Sequence, residues 1–273
     1  ADIVVQGTFD SSVTHVEARV LTRSGESGVD TGWQNIGGTL GGGAFSGQLS
    51  NITGGWYDIE VRAFNGTTQV DSTTMQRVGV GEIFVVAGQS NAANFGKDGP
   101  GAAVYDAVAQ RTSLTENTWS HAVDPQPLAN GTDDSAWPRV GDLIYEQYGV
   151  PVGLISVAQG GSAVSSWEST GGNYQNRLKP VLESLGPDGF RAVLYHQGET
   201  DSVNVHNALL NAAAEKGSAL TEAETQAILD DATATYRASL EAAISASRQD
   251  AGFDVQWGVA IASYHPSSSA EAA

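Results

Sequence analysis

The chain has 273 residues, 40 % of them apolar, enough to bury a sizeable core in one large domain or two ordinary ones. It carries 13 Lys and Arg against 31 Asp and Glu, a formal net charge of −18. So acidic a surface repels phosphate backbones and anionic lipid, which makes nucleic acid and membrane poor partners, and the absence of cysteine excludes disulfides, thiolate nucleophiles and Cys-based zinc sites.

Residues 1–79 read as a small all-β sandwich of the immunoglobulin or fibronectin kind. Short runs at Ile3–Gln6, His15–Thr22, Ala44–Leu49, Tyr57–Phe64 and Thr68–Val70 are separated by Gly, Asn and Ser clusters. Several alternate apolar with polar, as Val16-Glu17-Ala18-Arg19-Val20 does, and Asn65-Gly66 between two runs signals a hairpin. From Glu82 the pattern changes. Continuous apolar strands at Ile83–Ala87, Val152–Val157, Ala192–Tyr195 and Val255–Ala262 alternate with helical stretches, which predicts an α/β domain over 80–273 with a parallel sheet covered on both faces. One helix begins near Pro138. Another runs from about Thr221 to Ser247, with Ile228, Ala232, Tyr236, Leu240 and Ile244 on one face. The Ala- and Glu-rich stretch from Asn207 to Ala227 reads as a helical insertion or a lid.

In open α/β sheets ligands bind beyond the C-terminal strand ends. Three such ends carry polar, glycine-containing loops: Gly88-Gln89-Ser90-Asn91, Ala158-Gln159-Gly160-Gly161-Ser162, and His196-Gln197-Gly198-Glu199-Thr200-Asp201. Taken singly, each has a structural explanation, as a helix cap, a tight turn or a hydrogen-bonded histidine. Together on one edge they point to acyl transfer. Ser90 would be a nucleophile exposed between a strand and a helix. Its own N–H, that of Gly161 and the Gln197 amide would face a developing oxyanion, while Glu199 would orient a histidine or bind substrate. Position 92 is Ala, so the Gly-x-Ser-x-Gly elbow of ordinary α/β-hydrolases is absent.

At these residues the chain resembles the SGNH hydrolases of the sialate O-acetylesterase-like and acetylxylan-esterase-like kind. Val80 to Asn91 is similar to their first block, Gly160-Gly161-Ser162 with Trp167 to their second, and His196-Gln197-Gly198-Glu199 to their His-Gln-Gly-Glu block. The resemblance covers about 78–265. It implies a three-layer flavodoxin-like fold, a serine nucleophile at Ser90, an oxyanion hole at Ser90, Gly161 and Gln197, and O-acetylated sugars as substrates. Gln89, Asn91, Ser162, Trp167 and His196 are the expected substrate-binding residues, with Trp167 the best placed of the tryptophans to stack on a sugar. No cofactor or metal is expected.

One departure stands out. The family's base is a His in an Asp-x-x-His block near the C-terminus, and no Asp here has His three residues later. The leading expectation is that the sequence is truncated, or that another chain holds the remainder; the alternative is His265 as base. His15 is assigned to the β-domain, and His121 and His206 to loops. The chain opens on a strand-like segment with no signal peptide, as a mature form or a fragment would, and a secreted or periplasmic protein is expected.

Overall fold

Side chains that alternate along a strand point to opposite faces, and this decides the N-terminal architecture. The computed structural model describes residues 1–9, 12–97, 101–187 and 189–262. Seven strands lie in its first part: β1 (Ile3–Thr8), β2 (His15–Thr22), β3 (Gln34–Asn35), β4 (Thr39–Gly41), β5 (Ala44–Leu49), β6 (Gly55–Asn65) and β7 (Thr68–Val80). They form two antiparallel sheets, β1-β5-β4 and β3-β2-β6-β7. On β2 Val16, Ala18 and Val20 are buried, and they share one core with Val5 and Leu49 of the other sheet and with Tyr57, Ile59 and Val61 of β6. The hairpin forms where the sequence places it, Asn65 pairing Thr68 around Gly66 at φ 62°. Strand β7 runs ten residues beyond the expected Val70, and Thr68 to Arg77 are exposed throughout. The run Asp71-Ser72-Thr73-Thr74 carries no apolar alternation that could have announced it. Pairing of β6 with β7 shifts register between Tyr57 and Ile59 and again between Ala63 and Phe64.

The second part builds a mixed α/β sheet. Its strands are β8 (Glu82–Gly88), β9 (Val108–Arg111), β10 (Trp119–His121), β11 (Val152–Ser156), β12 (Ala192–His196) and β13 (Gln256–Ala260), in the order β10-β9-β11-β8-β12-β13. β12 runs parallel to both β8 and β13, whereas β9 and β10 pair antiparallel. The continuous apolar runs are buried: every residue of β11, and Val85 to Gly88 of β8. The helices are α1 (Trp137–Tyr148), α2 (Lys179–Leu185), α3 (Glu199–Lys216) and α4 (Glu222–Ala251). The stretch expected as an insertion or lid is therefore the end of α3, a short turn and the start of α4. His206 lies in α3 and His121 in β10, not in loops. Along α4 the fully buried stripe is Ser239, Ala243, Ser247 and Ala251. The five apolar residues read from the sequence flank it half-buried, because small residues are what the tight contact admits. By internal contacts the chain divides into residues 1–82 with 142–152, and residues 83–141 with those from 153 onward.

Candidate active site at the end of the parallel sheet

Strand β8 has β11 on one side and β12 on the other, so the strand order reverses at its C-terminal end, the place where open α/β sheets open a crevice. Backbone hydrogen bonds tie the three loops together there. Gln89 N–H donates to His196 O (2.9 Å), and Gln159 N–H donates to Gly88 O (2.9 Å). Gly88 permits the junction: it sits at φ 131°, and a Cβ there would stand 2.1 Å from His196 O.

Beyond Gly88 the chain makes a single 3-10 turn over Ser90–Ala92, closed by Ala93 N–H donating to Ser90 O (3.0 Å). Ser90 is half-buried, and among the described residues neither its Oγ nor its N–H has a hydrogen-bond partner. The second loop turns back at Gly161, φ 71°, whose N–H is equally free among the described residues. An unengaged hydroxyl and two unengaged N–H groups at one sheet edge are what a nucleophile and an oxyanion site require.

The third loop supplies buried polarity. Gln197, 1 % exposed, donates through Nε2 to Ser162 O (3.0 Å) and to the Asp201 carboxylate, and lies 3.3 Å from Gln89 Oε1. Its two amide hydrogens are therefore engaged within the loops. Asp201 also accepts the N–H of Val164 (3.0 Å), which joins the third loop to the second. Glu199, 7 % exposed in the first turn of α3, accepts from Asn91 Nδ2 through Oε1, while its buried Oε2 has no partner among the described residues. The exposed Asn91 thus belongs to the Glu199 contact. His196, its side chain 30 % exposed, holds Nε2 at 3.7 Å from Glu199 Oε1. Tyr236 of α4 donates to Gln197 O (2.9 Å), and burial, then the negative charges of Asp201 and Glu199, push its hydroxyl up to about 12.

Three residues expected to touch substrate are otherwise employed. Trp167 is fully buried, donates through Nε1 to Ser162 Oγ (3.0 Å) and meets Tyr195 edge-on, so no face of it is open to a sugar. Ser162, 8 % exposed, carries that indole bond. Gln89, 3 % exposed, turns its Oε1 to the N–H of Thr200 (3.1 Å). All three fasten the loops, because a buried polar atom takes whichever partner satisfies it. Conversely, Asp201, Asn94 and Asn130, to which the sequence assigns no role in the site, hold its backbone. Asn94, completely buried, accepts from Gln126 N–H (2.7 Å), and Asn130 Oδ1 accepts from Gly160 N–H (2.6 Å). No spacing in the sequence marks an amide that caps a loop from afar. His265 lies outside the described residues, and no described histidine hydrogen-bonds Ser90 Oγ. Among the described residues no group of His, Asp and Glu is arranged to hold a metal ion, and no helix is long and apolar enough to cross a membrane.

Comparison with known proteins agrees in kind. A probable carbohydrate esterase of Arabidopsis thaliana is 38 % identical over 58 residues, 21 % of this chain and 22 % of that protein. A carbohydrate acetylesterase of Xanthomonas citri has a crystal structure that aligns with TM-score 0.49 at 17 % identity, over 94 % of this chain and 55 % of that one. A second crystal structure, of an Arabidopsis thaliana protein, aligns with TM-score 0.40 at 18 % identity, over 68 % of this chain and 88 % of that one. The chain thus spans about half of the Xanthomonas protein and about a fifth of the curated Arabidopsis relative. The model of the family described as "SASA: Carbohydrate esterase, sialic acid-specific acetylesterase" matches residues 80–256, more than half of the chain, and the chain belongs to that family.

Proposed function

We propose that this chain is a carbohydrate O-acetylesterase that works through an acyl-enzyme on Ser90, with an SGNH-type, flavodoxin-like α/β domain following an immunoglobulin- or fibronectin-like β-sandwich. The observation that carries the reading is Ser90 at the strand-order reversal, its Oγ and N–H unengaged among the described residues. Ser90 Oγ attacks the acetyl carbonyl and its proton passes to a histidine base. The carbonyl oxygen, now negative, takes hydrogen bonds from Ser90 N–H and Gly161 N–H, and the sugar leaves with the proton. Water then attacks the acetyl-enzyme, releasing acetate and restoring Ser90. Within this sequence His265, which lies outside the described residues, is the alternative candidate for that base. Gln197 fixes the loop that presents Gly161; joining the oxyanion hole directly would require it to release Ser162 O or Asp201. Glu199 orients Asn91 and keeps one carboxylate oxygen for a histidine or a sugar hydroxyl.

The same carboxylates bear on the substrate. Among the described residues Glu199 has no Lys or Arg in ion-pair contact, and the chain is strongly acidic. A neutral acetylated sugar, as in acetylated xylan, is therefore favoured over the carboxylate-bearing O-acetyl sialic acid. Polymeric substrates of this kind would place the protein outside the cytoplasm.

The test is acetate release from both substrates by wild type and Ser90→Ala. The expected result is a fall of about a thousandfold or more in kcat/KM with no change in melting temperature. Full activity in Ser90→Ala would overturn the assignment. Sugar binding without turnover in wild type would make the chain a binding module built on a hydrolase fold.

A further inference from the structure

Phe95 is a large apolar residue left 47 % exposed beside the candidate site. It lies five residues after Ser90, and the chain beneath it is fixed. The completely buried Asn94 donates through Nδ2 to Gln126 O (3.0 Å) and accepts from the N–H of Gln126. The ring rests on backbone. A Cβ at Gly160 would stand 2.6 and 2.8 Å from Phe95 Cε2 and Cζ, and one at Gly131 would stand 3.1 Å from Cε2. Only glycine at position 160 lets the ring lie this close to the loop that presents Gly161. Beside it, half-buried Asn130 spends its Oδ1 on Gly160 N–H, while its Nδ2 has no partner among the described residues. An exposed apolar ring packed on the backbone of the loop that presents Gly161, with an amide donor unengaged among the described residues next to it, matches the two-sided chemistry of a pyranose, whose C–H face is apolar and whose rim is hydroxyl.

We infer that Phe95 is the platform on which the pyranose ring of the leaving group stacks, with Asn130 Nδ2 donating to one of its hydroxyls. The inference rests on the esterase reading for the position of the ester, yet it concerns sugar binding and can be tested apart from turnover. Because Glu199 of the same candidate site has no Lys or Arg in ion-pair contact among the described residues, the ring it receives is a neutral pyranoside.

The experiment is calorimetric titration of Ser90→Ala with xylotriose and with mannotriose, repeated in the Ser90→Ala background with Phe95→Ala, Phe95→Trp and Leu210→Ala. Leu210, 56 % exposed on α3, is the control for losing an exposed apolar side chain elsewhere. Phe95→Ala is expected to weaken binding about tenfold, Phe95→Trp to preserve it, and Leu210→Ala to leave it within twofold, all with unchanged melting temperatures. Equal affinity of the Phe95→Ala variant and its parent would overturn the platform. So would failure of the parent to bind either oligosaccharide. Phe95-dependent binding by a wild type that releases no acetate would sustain the platform and refute the esterase reading instead.

Discussion

The two parts of the molecule handle polar groups in opposite ways. In the β3-β2-β6-β7 sheet charge stays on the outer face. Arg62 pairs with Glu17 across β2 and β6 (2.6 Å, side chains 28 % and 23 % exposed), Arg19 pairs with Glu60 (2.7 Å), and Trp33 lies under both guanidinium groups. The core beneath packs Val16, Ala18, Val20, Ile59 and Val61 around Tyr57. In the α/β part, Gln89, Asn94, Gln126, Ser162, Gln197 and Glu199 are all buried, and they crowd the C-terminal end of the parallel sheet. Cross-strand ion pairs stabilise a surface at little cost if lost, whereas each buried amide must be satisfied or it destabilises. Where a chain accepts that risk repeatedly in one place, it is fixing the geometry of loops, and here those loops carry Ser90 and Gly161.

The contrast is sharpest in substitutions at three places. Gln197→Leu leaves the buried Ser162 O without its donor and takes one of two bonds from the half-buried Asp201 carboxylate, and should lower stability by about 2–4 kcal/mol in urea unfolding. A loss under about 0.5 kcal/mol would mean that the buried network holds nothing together and would break the comparison. An intermediate effect is expected at the exposed start of α4. There Thr221 Oγ1 accepts from Glu224 N–H (3.3 Å) and Glu224 accepts from Thr221 N–H (2.7 Å), a reciprocal cap. Thr221→Ala should cost about 1 kcal/mol. The Lys216 ammonium first, then the Thr221 N–H, hold the Glu224 carboxyl down at about 2 against an ordinary 4.5. Because that value is depressed by folding, its contribution is complete above 4.5 and vanishes as pH falls through about 2. Wild type and Glu224→Gln should therefore converge in melting temperature across that window. The smallest effect belongs to the first sheet. A double-mutant cycle on Arg62→Ala and Glu17→Ala should give a coupling of about 0.5 kcal/mol that shrinks in 1 M salt. A coupling as large as the Gln197 loss would erase the distinction between the two regions.

What the sequence disclosed follows the same division. The strands His15–Thr22 and Ala44–Leu49 coincide with their expected bounds, because alternation is a local signal that burial of one face enforces. The three loops at the strand ends were legible too, since glycine and polar residues interrupt apolar runs there. Short strands β9 and β10 were missed; Val108–Arg111 ends on a buried arginine that a hydropathy pattern does not expect inside. Roles within the site were the least legible. Gln89, Ser162 and Trp167 look like substrate contacts by position, and only the fold shows Trp167 bonded to Ser162 and Gln89 to Gln197 and Thr200. Phe95, by contrast, reads as one more apolar residue until its exposure and its glycine neighbours are seen.

Strand β7 is the outer strand of its sheet, thirteen residues long and bare along most of its length. A straight edge of that kind is a template onto which another chain can add a strand, the first step toward aggregation. The two register shifts against β6 interrupt it. At the first, Arg77 adopts φ 60° and its N–H turns inward to Asp58 Oδ1 (3.0 Å). No uninterrupted stretch of regular ladder then faces outward for long. Together with Asp71 on the same strand, these irregularities defend an exposed edge by geometry and charge, with no further strand covering it among the described residues.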